Sequence, residues 1–163
     1  MSLSVSVLDE KFMRLAIKKA RENIKHPDDG GPFGACIIKD GKVLASAKNT
    51  VLKKDATCHA EINAIRAAAR KTGSFDLSGS VIYSTTEPCP MCFCAIHWAR
   101  IGLIVFGTNI NDAAKTGFNE MKISNIRLKT LGKSKIKISP GFLLKECREL
   151  FDDWCKLPNK KLY

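Results

Sequence analysis

Two short stretches, Cys58-His59-Ala60-Glu61 and Glu87-Pro88-Cys89-Pro90-Met91-Cys92, bring together three side chains that ligate zinc and one carboxylate. A catalytic zinc takes three protein ligands and keeps its fourth position open, whereas a structural zinc is closed by four. His59, Cys89 and Cys92 make three. The apolar residues Ile62, Ile65, Ala68 and Ala69 predict a helix from Ala60 to Lys71, which puts His59 at a helix N-terminus. Glu61, two residues on, then flanks the same water as the metal without ligating it. Cys89 and Cys92 have the short spacing that lets two thiolates from one turn reach one ion. Pro88 and Pro90 suit the start of a helix, where a missing N–H is not needed, and helix N-termini favour thiolate over thiol. Zinc in such a site lowers the pKa of bound water toward neutrality, and a neighbouring carboxylate shuttles the proton, which together equip the site for hydrolysis.

Other readings compete for the same residues. A lone His-x-Glu marks no more than a helix start, and a lone Cys-x-x-Cys serves redox chemistry or structural zinc. A thioredoxin-like domain would carry Cys-x-x-Cys after its first strand, with no His-x-Glu upstream. A closed zinc site would need a fourth ligand from Cys58, Cys94 or His97. Cys94 is two residues beyond Cys92, about 200° around a helix, and is expected to face elsewhere. The reading is therefore an open centre holding one Zn2+ per chain. Outside enzymology, the alternative is a zinc-containing module that binds nucleic acid through a basic loop; it predicts a closed site and a dispensable Glu61.

At 163 residues the chain is expected to form one domain over 1–163, with 156–163 as a tail. No apolar run approaches the roughly 20 residues of a membrane span, and Met1 to Leu8 lacks the layout of a signal peptide, so no membrane partner and a cytoplasmic location are expected. Seven cysteines, an odd number, fit a reducing compartment. Cys36, Cys147 and Cys155 fall in apolar patterns and are expected as small buried hydrophobes. The formal charge is +11, with much of the excess in Lys115 to Lys145 and in Lys156, Lys160 and Lys161. That surface suits phosphates, although no aromatic residues interleave with it as nucleic-acid readers require.

The elements that must position the site follow from periodicity. Asp9 to Lys25 reads as an amphipathic helix through Met13, Ile17, Ala20 and Ile24, and His26 closes it. Ala35 to Lys39 and Lys42 to Lys48 read as strands joined by the hairpin turn Asp40-Gly41. Ser80 to Thr85 is a strand delivering Cys89, Met91 to Arg100 a helix, and Leu103 to Phe106 a buried strand, which implies a right-handed parallel crossover. Asn109 to Thr130 reads as polar and irregular, with at most a turn or two of helix around Asp112 to Lys115. Ile136 to Ser139 is a fifth strand and Phe142 to Lys156 a helix with Leu144, Cys147, Leu150, Phe151 and Trp154 on one face.

His-x-Glu followed by Pro-Cys-x-x-Cys is the signature of zinc deaminases acting on bases. With Gly30-Gly31-Pro32-Phe33-Gly34-Ala35, Asn49 at a strand end, Ala95-Ile96-His97-Trp98-Ala99-Arg100, Asp112-Ala113-Ala114, Gly117-Phe118 and the final Lys160-Lys161-Leu162-Tyr163, the chain from about Phe12 to Tyr163 resembles the cytidine deaminase-like superfamily, above all its guanine deaminase branch. The resemblance implies a three-layer α/β/α sandwich with a five-stranded mixed sheet, a homodimer, and hydrolytic deamination of guanine to xanthine and ammonia. It implies that Phe33 stacks on the base and Asn49 bonds its edge. The Ala60 N–H meets the ring carbonyl, Trp98 walls the pocket, and Tyr163 closes it, either in its own chain or swapped from a partner.

Two departures bear on the substrate. Members of that branch continue Gly-Phe-Asp-Asp, whereas this chain reads Gly117-Phe118-Asn119-Glu120, so the base-recognising carboxylate would be Glu120 on a longer arm. The loop before His59 reads Asp55-Ala56-Thr57 in place of Asp-Pro-Thr. Arg100 to Gly107 and Ile136 to Cys147 also look like tRNA wobble-adenosine deaminase, an alternative that would make tRNA the partner. That group has Val or Ile where Phe33 stands and no closing Tyr tail. A yeast-type cytosine deaminase is the third alternative.

Overall fold

The computed structural model describes residues 8–163; the stretch expected to lack a signal peptide lies almost wholly outside them. Helix α1, Glu10–Lys25, starts where the Asp9 carboxylate accepts the Lys11 amide and ends where His26 closes it, burying Phe12, Met13, Ala16, Ile17 and Ala20. Strands β1, Gly34–Lys39, and β2, Lys42–Lys48, pair antiparallel. Asp40 and Gly41 between them both have positive φ, 50° and 71°, the mirror-image turn that matches strand twist. Helix α2, Ala60–Thr72, ends at Gly73 in the left-handed region, at φ 69°.

Strand β3, Ser80–Thr86, leads through Glu87 to Cys89 into helix α3, Pro90–Trp98, and on to strand β4, Leu103–Thr108. β3 and β4 lie parallel, as the crossover requires. Two short helices follow, α4 over Ile110–Thr116 and α5 over Asn125–Leu131, then strand β5, Lys137–Ser139, and helix α6, Leu144–Cys155. The five-stranded sheet runs β2-β1-β3-β4-β5, with β1 antiparallel to both neighbours and the rest parallel.

Alternation along the strands divides the core into two layers. Ile37, Ile82 and Ile104 face Ala60, Ala64, Phe93 and Ile96 of α2 and α3. Their neighbours Cys36, Tyr83 and Val105 face Phe12, Met13, Ala16, Cys147 and Leu150 of α1 and α6. The result is a three-layer α/β/α sandwich. Close approach of α1 to β1 depends on Gly34, where a methyl group would run into the Ala16 carbonyl. Gly34→Ala is therefore expected to destabilise the fold by about 2–3 kcal/mol, read as a lower urea midpoint at unchanged slope.

Two expectations need correction. The segment after Asn109 has the expected two turns of helix in α4 and an irregular stretch over 117–124, but it also carries a second helix, α5, that was not expected. Asn109 and Asp112 form a reciprocal capping box for α4, and Ser124 caps α5, so side-chain capping supplies what core burial does not. Ile126 and Leu131 of α5 are exposed, which is why no apolar stripe announced it. Cys155 is also exposed rather than buried, being one residue past Trp154 and so off the inward stripe of α6.

Candidate active site

His59 and Cys89 occupy matching places, each the N-cap residue of a helix, of α2 and α3 respectively. Neither side chain caps its own helix, which frees both to point at a common centre. Cys92, one turn into α3, completes the group, and all three ligand atoms lie within 4.8 Å of one another. His59 Nδ1 and Cys89 Sγ are 3.6 Å apart. A tetrahedral zinc with bonds of about 2.3 Å to sulfur and 2.0 Å to nitrogen has ligand edges of about 3.5–3.8 Å, so the donor set fits one zinc ion.

No fourth protein ligand joins them among the described residues. The Cys58 thiol donates to Asp55 Oδ2 at 3.4 Å and receives Arg66 at 3.4 Å. Cys94 is exposed, and His97 Nδ1 pairs with Ser134 Oγ at 3.0 Å. Glu61, buried to 6% exposure, keeps its carboxylate beside the cluster without entering it. Ser84 Oγ donates to its Oε1 at 2.8 Å and the Cys92 thiol donates to Oε2 at 3.5 Å.

The electrostatics suit a metal. A hydrogen bond from Cys92 and the proximity of His59 overcome burial and bring the Cys89 thiol down to about 4, so Cys89 is a thiolate at neutral pH. Burial, with the charges of Glu61 and Cys89, pushes Cys92 up. Burial resists protonation of His59, yet Cys89 outweighs it and raises the imidazole pKa. Glu61 is raised by burial, against the pull of His59.

A cavity of about 270 Å³ opens onto this cluster, lined by His59, Glu61 and Cys89 on its floor and by Phe33, Phe118, Glu120 and Tyr163 above. Phe33 meets the Phe118 ring edge-on at 4.9 Å. Phe118 in turn meets Tyr163 at 5.4 Å. Tyr163 is held from two sides: its hydroxyl accepts the Gly31 amide at 3.0 Å, and its backbone carbonyl accepts the Asn119 amide at 3.1 Å. In this single chain the tail reaches its own cavity.

Asn49 is buried just behind the wall, its Oδ1 accepting the Val51 amide at 3.0 Å and its carbonyl accepting Asn23 Nδ2. Ala60 is buried as the first residue of α2, where its N–H has no intrahelical partner. Trp98 does not wall the cavity of this chain. Six residues beyond Cys92, about 240° around α3, it stands 75% exposed over a groove shared with Leu128 and Leu131. Ser84, Thr86 and Val51 are site neighbours that the motifs did not mark. Ser84 sits in β3, at a strand position that alternation alone assigns to the core.

Glu120 is half-buried, and burial lifts its carboxyl to about 6, helped by the Cys89 charge and opposed by His59. A carboxyl whose folded pKa exceeds its unfolded one penalises the folded state once ionised. Its contribution is therefore present below the model-peptide value of 4.5 and is lost as pH rises through about 6. Glu120→Gln is expected to stabilise the zinc-free chain at neutral pH, by about 1 kcal/mol after allowance for solvent screening, and to have no such effect below the unfolded pKa. Urea melts at the two pH values check this.

Fold and site together define a zinc-dependent deaminase, a hydrolase of C–N bonds in cyclic amidines. The chain belongs to the cytidine and deoxycytidylate deaminase family, whose zinc-binding region matches residues 6–108. It is 37% identical over 158 residues to the guanine deaminase of Bacillus subtilis, covering 94% of this chain and 98% of that one. It is 31% identical over 151 residues to a tRNA-specific adenosine deaminase of Buchnera aphidicola, covering 91% and 94%. The solved guanine deaminase from Nitrosomonas europaea superposes with a TM-score of 0.82 at 27% identity, over 91% of this chain and 85% of that one.

Proposed function

We propose that this protein converts guanine to xanthine and ammonia as one deaminase domain whose 156–163 tail roofs the active site. The observation that carries the reading is that roof. Tyr163, pinned to Gly31 and Asn119, closes a cavity of about 270 Å³ over the metal cluster. Pockets for drug-sized ligands span roughly 300–1,000 Å³, so this space suits a free base better than a polynucleotide.

His59, Cys89 and Cys92 would hold the zinc, which when bound would supply the Lewis acidity that makes water nucleophilic at neutral pH. Glu61, oriented by Ser84 and desolvated, takes a proton from the attacking water and gives it to a ring nitrogen. It then takes the second proton from the new C–O–H group and gives it to the amine, which leaves as ammonia while the C=O forms. Phe33 stacks on the base, the Ala60 N–H and the Asn49 amide meet its edge, and the Glu120 carboxylate accepts from guanine's N–H groups. The exposed groove of Trp98 and Leu131 supports a homodimer through this face. Free cysteines throughout the described residues support a reducing, cytoplasmic setting. Among those residues no helix is long and apolar enough to cross a membrane.

One observation favours tRNA instead: Lys133, Lys135 and Lys137 form an exposed basic strip beside β5. Ammonia release from guanine, guanosine, cytosine, adenine and a tRNA anticodon stem-loop decides between the readings. Turnover of guanine well above the others is expected; turnover of the stem-loop alone would overturn the small-base reading.

A further inference from the structure

Glu87 lies between β3 and the zinc ligand Cys89, and its side chain is buried to 8% exposure. Its two carboxylate oxygens serve two different helices. Oε2 accepts the Ile110 amide at 3.2 Å and Oε1 accepts the Asn125 amide at 2.8 Å. Ile110 and Asn125 are the first residues of α4 and α5. The local caps cannot serve these amides: Asn109 and Ser124 are already bonded to the amides of Asp112 and Arg127, further into each helix. A return bond runs from Asn125 Nδ2 to the Pro88 carbonyl.

The segment clamped between those two amides carries Phe118 and Glu120 into the cavity. One carboxylate thus anchors both ends of the wall that faces the metal cluster, two residues from a metal ligand. We propose that Glu87 is a positioning residue that sets the spacing between the zinc ligands and the Phe118–Glu120 wall, and through it the fit of the base. This rests on the reading above that the wall contacts the base.

The chemistry makes the proposal sharp. Two amide donors require two acceptor oxygens, and an amide side chain offers only one, turning its NH2 against the other donor. Glu87→Gln fills the same volume but is expected to raise KM about tenfold, with kcat within about threefold of wild type and full zinc content. Asn125→Ala, which removes the return bond, is expected to raise KM in the same direction by less. If Glu87 merely filled space, Gln would leave KM unchanged, which would overturn the proposal; so would a fall in kcat that tracks zinc loss. Should Glu87→Gln fail to fold, Asn125→Ala decides by the same criterion. Glu120→Ala, assayed with the same base, separates the two levels of the argument. If it raises KM while Glu87→Gln does not, only the positioning role fails; if it leaves KM unchanged, the wall reading itself fails.

Discussion

Glu61→Gln is expected to bind one zinc per chain and to lose about 10²–10⁴-fold in kcat, the range for removing a positioned general acid–base group. Zinc is retained because the ligand atoms belong to His59, Cys89 and Cys92 and not to Glu61. The fold is retained because the glutamine keeps an oxygen for the Ser84 hydroxyl, which now meets Glu61 Oε1 at 2.8 Å. Burial raises the Glu61 carboxyl, so a neutral amide in its place removes a charge that the folded state disfavours. Metal analysis, thermal melting and kcat on one preparation check all three statements. A variant that turned over substrate like wild type would contradict the role given to Glu61.

Cys92→Ala attacks the other half of the machinery. Structural zinc sites bind with roughly 10–16 kcal/mol shared among their ligands, so loss of one thiolate is expected to weaken zinc by about 10²-fold or more. Turnover then falls with metal content, and excess zinc restores part of it. The two core layers are held by apolar contacts of the helices with the sheet, most of them made by residues outside the cluster. Circular dichroism of Cys92→Ala is therefore expected to match wild type, with the loss confined to zinc and activity. The contrast with Glu61→Gln, which loses turnover with zinc in place, separates binding of the metal from use of it.

The metal half-motifs could be read from the chain because their geometry is local. An N-cap histidine, an N-cap cysteine and a second cysteine one turn on need only two helix starts to be placed, and the sheet brings those starts together. The strands were equally legible, since alternation in stretches such as Cys36-Ile37 and Tyr83-Ile82 assigns each residue to a layer. What stayed hidden is held by long-range polar contacts. Glu87 reaches residues 23 and 38 positions away, and no periodicity announces a carboxylate that caps helices from another element. The same holds for Ser84 on Glu61, 23 positions apart. α5 escaped notice because capping rather than an apolar face supports it. Trp98 shows the limit of a motif in another way: the pattern places it on a helix without saying which surface it serves, and the indole stands exposed outside this chain's cavity.

The most direct test is turnover of guanine by the zinc-loaded protein in heavy-oxygen water, with product mass and ammonia measured together. Xanthine carrying one heavy oxygen, formed in step with ammonia, is the result predicted for hydrolytic attack within the roofed cavity. Guanine left untouched, while an anticodon stem-loop gains inosine under the same conditions, would contradict it and move the substrate site to the basic surface.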